Sequence, residues 1–275
     1  MADGSPPPAD INDQVDLLLA QASTRTNQQV PSELDLVEMP VEGVAAYWLS
    51  LRKIMGPKWN PKLLRDETGR TIEPFIRHLL DLGVSSWPGA DVRRLAGIKG
   101  SVMIRDLQRK FVLMAIAVLG IASNENPQKV MVRIVSKFPI SPIFERQVFD
   151  AAQLILKNLG NTSFHRERYL RVDHRIKAEA LIITLIMYCM LVRRSGPEAL
   201  EPARAHVHSA YFLEGLNLIR DGFEADFIKH RLNLQKREIL QDTEMKMEMS
   251  LEMCLALRAD ASYEDMHRLA RSYFL

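Results

Sequence analysis

Two uninterrupted apolar runs limit the fold more than any other feature of the sequence. FVLMAIAVLGIA covers residues 111–122 and ALIITLIMYCMLV covers residues 180–192. Each run has about a dozen residues, well short of the ~20 that a membrane-spanning helix needs. Charged residues precede both runs, Lys110 before the first and Glu179 before the second. We therefore expect both runs to be packed inside a protein core and neither to cross a membrane.

From residue 41 onward, the spacing of apolar residues is helical. In VAAYWLSLRKIM (44–55) they recur every three or four positions, as they do on one face of a helix. In NENPQKVMVRIVSKFP a cap, a proline in the first turn and a closing proline predict a short helix. Almost no segment alternates with period two, so we predict an all-α fold with short loops. We predict a helix over 90–123, broken near Gly97 and Gly100, and an amphipathic helix that ends at Gly160. Further helices are predicted over 165–194, 197–221, 223–258 and 262–274.

The order of these helices predicts an internal duplication. YWLSLRKIMGP (47–57) and MYCMLVRRSGP (187–197) both end an apolar helix with basic residues and then Gly-Pro. Residues 115–138 and 250–274 also share one order of elements. Repetition at this spacing indicates two equivalent helical units. We predict unit one at 41–139, a helical connector at 140–177 and unit two at 178–275.

Residues 1–40 differ in composition from the rest of the chain, being rich in Pro, Asp, Ser, Gln and Asn. This composition predicts a flexible tail. Within it, INDQVDLLLAQA (11–22) has the spacing of a short amphipathic helix, either without a role or serving as a docking peptide for a partner groove.

Charge and cysteine content set the expected compartment. The formal net charge is +2, which does not indicate a nucleic-acid binder. Two cysteines, Cys189 and Cys254, cannot form a disulfide framework, and MADGSPPPAD lacks the features of a signal peptide. We expect a cytoplasmic protein.

One stretch of the predicted second unit resembles the cytoplasmic loop of the flagellar stator subunit MotA and its MotA/TolQ/ExbB family. It reads LVRRSGPEALE, followed later by SAYFLEGLNLIRDGFEADFIKHRL. The positions that match the family pattern are Arg193, Arg194, Gly196, Leu200, Glu201, Phe212, Leu213, Gly215, Leu216, Asp221, Gly222, Phe227 and Ile228. LGIASNENPQKVMVRIVSKFP is similar to the family's C-terminal cytoplasmic piece through Pro127, Val130, Phe138 and Pro139.

The sequence departs from that family where the family has its membrane helices. NLQKREILQDTEMKMEMSLEM (233–253) stands in their place, and its charged residues are too costly to bury in a bilayer. We therefore expect no ion conduction. The resemblance implies a soluble helical scaffold or adaptor, not an enzyme, acting in or near the flagellar motor. Its partners would be proteins, rotor or stator components among them, or further copies of the chain.

The resemblance also suggests which residues would contact a partner. Charges in this region of the family meet complementary charges on the rotor. Here they would be Arg193, Arg194, Glu198, Glu201 and Arg204. The alternative is a solvated helix end whose charges match the helix dipole, because exposed ion pairs are common and weak.

A basic segment, HRERYLRVDHRIK (165–177), supports a different hypothesis. On a helix, Arg168, Arg171 and Arg175 would share a face, with Lys177 nearby, and could bind nucleic acid or a nucleoprotein. The alternative is a solvated basic face paired with Glu167 and Asp173.

No pattern predicts catalysis, a cofactor or a metal. His206 and His208 stand two residues apart and so point to different sides of a helix. His174 and Asp173 could complete a ligand set, but no ligand spacing requires it. Neither cysteine lies beside a histidine in the sequence. Met245, Met249 and Met253 form a stripe that we interpret as core.

Overall fold

The computed structural model of the protein describes residues 34–56, 60–138, 140–161 and 163–274. Within these ranges the regular structure is helical, and the one β pairing is an isolated bridge between Val172 and Val207. The predicted all-α class is confirmed. Tertiary contacts divide the chain into two compact units. Unit I comprises the described residues of 29–108 and 236–275, and unit II comprises those of 109–235.

Unit I is built from both ends of the described chain. Its elements are α1 (Val41–Met55), α2 (Pro61–Arg70), α3 (Pro74–Gly83), the first part of α4 (Gly89–Ala122), the last part of α11 (Ala225–Arg258) and α12 (Tyr263–Arg271). Each of the two long helices has 34 residues. Both of them pass from one unit into the other.

Unit II contains the middle of the chain. Besides the remaining parts of α4 and α11 it holds α5 (Pro127–Lys137), α6 (Pro142–Asn158), α7 (Arg166–Leu170), α8 (Ala178–Ser195), a 3₁₀ helix (Pro197–Leu200), α9 (Glu201–Arg204) and α10 (Ala210–Arg220). α8 packs along α6 and against α5. The contact units thus cut across the predicted units 41–139 and 178–275, and the duplication stays a prediction.

Many of these helices begin where the sequence supplies a cap. A side-chain oxygen accepts a hydrogen bond from an amide of the first turn, which would otherwise lack a helical partner. The residues that do this are Asn60, Glu73, Asn126, Ser141, Ser209 and Ser262. Proline, which needs no amide donor at that position, begins α2, α3, α5 and α6.

Both apolar runs lie in the core of unit II. All residues from 181 to 189 in α8 are buried, so this helix is apolar around its whole circumference. Most of 111–122 in α4 is buried as well. Among the described residues, no helix combines the length and apolar content required to cross a membrane.

The core of unit I includes part of the predicted tail. Leu34 and Leu36 are buried together with Trp48 and Phe75, so the chain is already packed at residue 34. Residues 1–33 of the predicted tail, including the segment 11–22, lie outside the described residues. Met249 and Met253 are fully buried in the same cluster, as the interpretation of the methionine stripe predicted, whereas Met245 is only half-buried.

Each long helix also carries one buried lysine. The Lys110 Nζ donates to the His174 carbonyl oxygen at 2.8 Å in unit II. In unit I the Lys246 Nζ donates to the Leu36 carbonyl oxygen at 3.2 Å and forms an ion pair with Asp242. A buried ammonium is tolerated only with such partners. Lys110 therefore ties the segment before α8 to α4, and Lys246 ties the segment before α1 to α11.

Two of the predicted helices are interrupted, and one predicted break is absent. The prediction of one helix over 165–194 is wrong because the Val172 carbonyl oxygen accepts hydrogen bonds from the amides of His208 and Ser209 at 2.9 and 3.0 Å. The same pairing interrupts the helix predicted over 197–221. Conversely, Gly97 and Gly100 lie within the continuous helix α4.

The first prediction concerns the contact between α10 and α4 in unit II. A Cβ added to Gly215 would lie 2.7 and 2.8 Å from the two methyl groups of Val118. Gly215→Ala should therefore lower the free energy of unfolding by about 1–3 kcal/mol, because overpacking outweighs the gain in helix propensity. Urea and thermal unfolding measure the change.

The matched control is Gly97→Ala. Nothing lies within 4 Å of a Cβ at Gly97. This change should leave stability unaltered or raise it by up to ~1 kcal/mol. Equal effects of the two substitutions would contradict the close packing of α10 on α4.

Candidate functional site

The end of α8 has the structure that the Gly-Pro pattern predicted. The helix ends at Ser195, and Gly196 follows in the left-handed region with φ of 82°, donating its amide to the Val192 carbonyl oxygen at 2.8 Å. Pro197 then begins the 3₁₀ helix. The last turn of α8 carries Arg193 and Arg194, both exposed, where they oppose the negative end of the helix dipole.

Arg193 reaches the turn that joins α4 to α5. Its guanidinium donates a hydrogen bond to the carbonyl oxygen of Asn124. Asn124 has φ of 46°, a left-handed conformation that asparagine adopts more readily than most residues. The arginine thus holds the reversal between the two helices, which gives it a structural role beyond charge at a helix end.

A polar cleft of about 600 Å³ opens at this turn in unit II. The residues that line it are Ser123, Asn124, Glu125, Asn126, Lys129, Arg133 and Arg193. Three of these carry positive charge and one carries negative charge. Arg133 donates to the Glu125 carboxylate at 2.9 Å. Lys129 is exposed and forms no ion pair within the described part of the chain. This balance favours an anionic group in the cleft.

The other predicted partner-binding residues do not line the cleft. Arg204 is bound within unit II, with Glu201 at 3.3 Å and with the side-chain oxygen of Asn217. Arg194 and Glu198 are exposed. Of the five residues, the structure therefore places only Arg193 in the cleft. Lys129 and Arg133 were not predicted, since the helix that carries them lies about 60 residues away in the sequence.

The basic segment 165–177 does not form the predicted helical face. α7 ends at Leu170, so Arg168 is helical while Arg171 and Arg175 are not. The Arg171 guanidinium is bound by the Asp173 carboxylate. Tyr169 is buried and stacks on Phe164 at 4.9 Å, so its ring is no platform for bases. The premise of a shared face was wrong, and nucleic-acid binding stays an untested alternative.

Asp173 is the polar centre of this segment. Burial opposes its ionisation, but the Arg175 amide at 2.9 Å, His174 and Arg171 together outweigh that effect. The pKa of the Asp173 carboxyl is therefore held below its ordinary value. The carboxylate anchors the non-helical stretch between α7 and α8.

The histidines considered as metal ligands do not assemble a site. Nδ1 of His174 lies 3.3 Å from the Asp173 carboxylate. His206 and His208 come close to this stretch through their backbones, which pair with Val172. Among the described residues, no group of three His, Cys, Asp or Glu side chains could hold a metal ion.

Neither thiol is built as a nucleophile. Burial raises the pKa of both Cys189 and Cys254 to about 12. Each sulfur lies against a backbone carbonyl oxygen, that of Ala117 at 3.8 Å for Cys189 and that of Leu79 at 3.3 Å for Cys254. Reactive cysteines need a lowered pKa and access to solvent, and these two have neither.

Exposed apolar side chains were missed by the sequence analysis. In unit I they include Trp87, Ile98 and Val102, and in unit II Phe223, Phe227 and Leu234. The rings of Phe223 and Phe227 stack at 4.6 Å. The four-residue spacing of Ile98 and Val102 indicates a shared helix face. The helix break predicted at Gly97 and Gly100 left these two residues outside a continuous helix.

No protein-family model, no curated protein and no solved structure matches this chain. The resemblance to the flagellar stator therefore rests on the short motifs around residues 193–228 and 119–139 alone.

A pH-dependent prediction follows from the lowered pKa of Asp173. Asp173→Asn should destabilise unit II at pH 7 by about 1–3 kcal/mol, because buried donors lose a charged acceptor. The contribution of a carboxylate with a lowered pKa is complete above the unfolded value of about 4 and is lost as the pH falls through the folded value. The difference in the free energy of unfolding between the variant and the native chain should therefore shrink below about pH 4.

Urea unfolding as a function of pH measures this difference, with the exposed Asp150→Asn as the control. A pH-independent difference would contradict this assignment.

A further prediction concerns the thiols. A disulfide reagent such as 5,5′-dithiobis(2-nitrobenzoate) should titrate no thiol in the folded protein at pH 7.5, and both Cys189 and Cys254 in denaturant, because burial keeps the sulfurs protonated and inaccessible. Absorbance at 412 nm counts the reacted thiols. A rapid reaction of either thiol in the folded chain would contradict the burial of α8 or α11.

Proposed function

We propose that the protein is a helical scaffold or adaptor that binds an acidic segment of a protein partner, and that it is not an enzyme. The observation that carries the proposal is the cleft at residues 123–126, where Lys129, Arg133 and Arg193 outnumber the carboxylate of Glu125. In the described residues the thiols are inert and the buried lysines bind backbone oxygens. The cleft can therefore interact with other molecules through its charged side chains.

The predicted duplication provides an internal comparison for the cleft when equivalent helix caps are taken as the register, which is 136 residues, in place of the 140 residues between the two Gly-Pro patterns. The caps Glu73 and Asn126 have counterparts in Ser209 and Ser262, each 136 residues later (73 to 209, 126 to 262). The long helices start 136 residues apart as well, at Gly89 and Ala225. The buried lysines Lys110 and Lys246 keep the same offset.

In this duplicated arrangement the two repeats exchange their last helices. α12 packs against α1 in unit I, as α5 packs against α8 in unit II. In both units an arginine from the last turn of α1 or α8 reaches the turn that ends a long helix. In unit I, Arg52 forms an ion pair with Asp260 at 2.8 Å, and Asp260 is left-handed with φ of 57° like Asn124. An arginine that binds the turn after a long helix is thus common to both predicted repeats.

The rest of the cleft differs between the repeats. At the same offset, Lys129 corresponds to Asp265 and Arg133 corresponds to Leu269. Asp265 is used locally, where it binds the Ser262 hydroxyl at 2.8 Å. The arrangement common to both repeats accounts for Arg193, but it does not account for Lys129 and Arg133 in unit II. We assign Lys129 and Arg133 to recognition of a partner for this reason.

We propose that the protein acts in the cytoplasm, in or near a bacterial flagellar motor, and conducts no ions. The resemblance of residues 193–228 to the stator loop supports this location. In that family, charges of the loop meet complementary charges of the rotor. An acidic helix or loop of a rotor or stator component would fit the cationic cleft.

The fourth prediction tests the cleft by charge reversal. Lys129→Glu should lower the affinity for the partner about tenfold or more, which corresponds to about 1.4 kcal/mol, because it turns the open cation of the cleft into an anion. Lys137→Glu is the matched control, since it makes the same change at the exposed end of the same helix. Quantitative affinity purification from motile cells of the source organism measures the change.

Two outcomes would contradict the proposal separately. Equal recovery of every protein by the native chain and by Lys129→Glu would exclude the cleft as the binding site. Recovery of partners that include no motor, export or chemotaxis component would exclude the motor assignment and leave the scaffold function in place.

A further inference from the structure

A second surface lies on the first part of α4 in unit I. Trp87, just before the helix, is 50% exposed, Ile98 is 56% exposed and Val102 is 51% exposed. Ile98 and Val102 stand four residues apart, so they lie on one face of the helix one turn from each other. Large apolar side chains that are exposed together on a helix face indicate an interaction surface.

Two small residues stand beside these side chains. Gly97 and Ser101 are exposed and also four residues apart. Glycine lowers helix propensity more than any residue except proline. A Cβ at Gly100 would make ordinary van der Waals contacts, at 3.5 Å from atoms of Met247 and Phe75. At Gly97 nothing lies within 4 Å, so the fold of unit I does not require it.

The absence of a side chain at Gly97 allows another backbone to approach closely. Small residues spaced four apart let two helices come closer than larger side chains permit. The notch at Gly97 and Ser101, flanked by Ile98 and Val102, therefore has the shape of a seat for a helix. Binding to a lipid surface would depend on the apolar side chains but not on the notch at Gly97 and Ser101.

Arginines border this face at both ends. Arg94 lies one turn before Ile98 and is exposed, and its guanidinium forms an ion pair at 3.4 Å with the carboxylate of the half-buried Asp91. Arg105 lies beyond Val102, and its Nε donates to the Ser101 carbonyl oxygen at 3.2 Å. The terminal nitrogens of Arg105 form no ion pair within the described part of the chain. The surface is therefore apolar in the middle and has an arginine at each border, Arg94 paired with Asp91 at one end and Arg105 next to the exposed Asp106 at the other.

This charge pattern selects the occupant. A second copy of the chain seated on the same face would bring arginines against arginines, which disfavours that pairing. Carboxylates on either side of an apolar strip would complement Arg94 and Arg105. We infer that the face of α4 formed by Arg94, Gly97, Ile98, Ser101, Val102 and Arg105 binds an amphipathic helix of another protein that carries acidic residues beside its apolar strip.

The corresponding face of α11 provides a control. At the offset of 136 residues, Trp87 corresponds to Phe223 and Ile98 to Leu234, both exposed apolar residues. Gly97 corresponds to Asn233 and Ser101 to Arg237, so the notch is not repeated. Leu234→Ser removes an equivalent exposed side chain from a face without a notch.

The test is a selection with the full-length chain as bait and a phage-displayed library of randomised helical peptides as the probe. Enriched peptides should have an apolar strip and an excess of Asp and Glu. Synthetic versions, measured by fluorescence anisotropy, should bind Gly97→Leu and Arg105→Glu at least about tenfold more weakly than the native chain. Replacing the acidic residues of the peptide by lysine one at a time should yield one peptide that binds Arg105→Glu again, because only the residue opposite position 105 needs the reversed charge.

The controls separate this surface from the cleft. Leu234→Ser and Lys129→Glu should bind the selected peptides within about twofold of the native chain, a change far smaller than the tenfold step. Far-UV circular dichroism of Gly97→Leu and Arg105→Glu should match the native chain, and neither variant should unfold at a lower temperature, because both positions face solvent and leucine favours a helix more than glycine does.

Three results would overturn the inference. They are a selection that enriches no helical peptide, peptides that bind Gly97→Leu as tightly as the native chain, and flotation of the chain with phosphatidylglycerol vesicles that depends on Trp87 but not on Gly97. None of them bears on Lys129, so the proposal for the cleft would be judged separately.

Discussion

The structure depends on the way the long helices α4 and α11 are used by both compact units. Each helix buries one part among the helices of unit I and the other among those of unit II. Each also carries one buried lysine, Lys110 or Lys246, whose ammonium group must keep its backbone acceptor because an unpaired buried charge is strongly unfavourable. The segments that lead into α1 and α8 are thereby tied to a long helix.

The two candidate surfaces arise from different parts of this framework. The cleft forms because the turn after α4 needs a left-handed residue at Asn124, and Arg193 reaches that turn from α8. The face of α4 is part of a helix whose other side is packed, so its glycine and apolar residues remain at the surface. In each place one residue assigned to recognition has no ion pair or packing contact in the described part of the chain, Lys129 in the cleft and Gly97 on α4, whereas Arg133 also binds Glu125.

The same comparison explains why the basic segment 165–177 is a weaker candidate. Its arginines were attractive as a stripe, but a stripe requires a continuous helix. Val172 leaves the helical conformation to pair with residues 206–209, and Asp173 then binds the arginine beside it. The charges of this segment are used to stabilise a connection between helices.

Local signals in the sequence were sufficient for the helical class, for the burial of the runs 111–122 and 180–192, and for helix boundaries such as Asn126 with Pro127. They were sufficient because caps, proline positions and apolar spacing act over a few residues. They failed at residues 171–177 and 205–209, where a contact between distant segments replaces helical hydrogen bonds, and at Gly97, whose propensity suggests a break that the packed side of α4 prevents. The grouping of Arg193 with Lys129 and Arg133, and the exposure of Ile98 and Val102, could not be read from the chain, because both depend on which helices pack together.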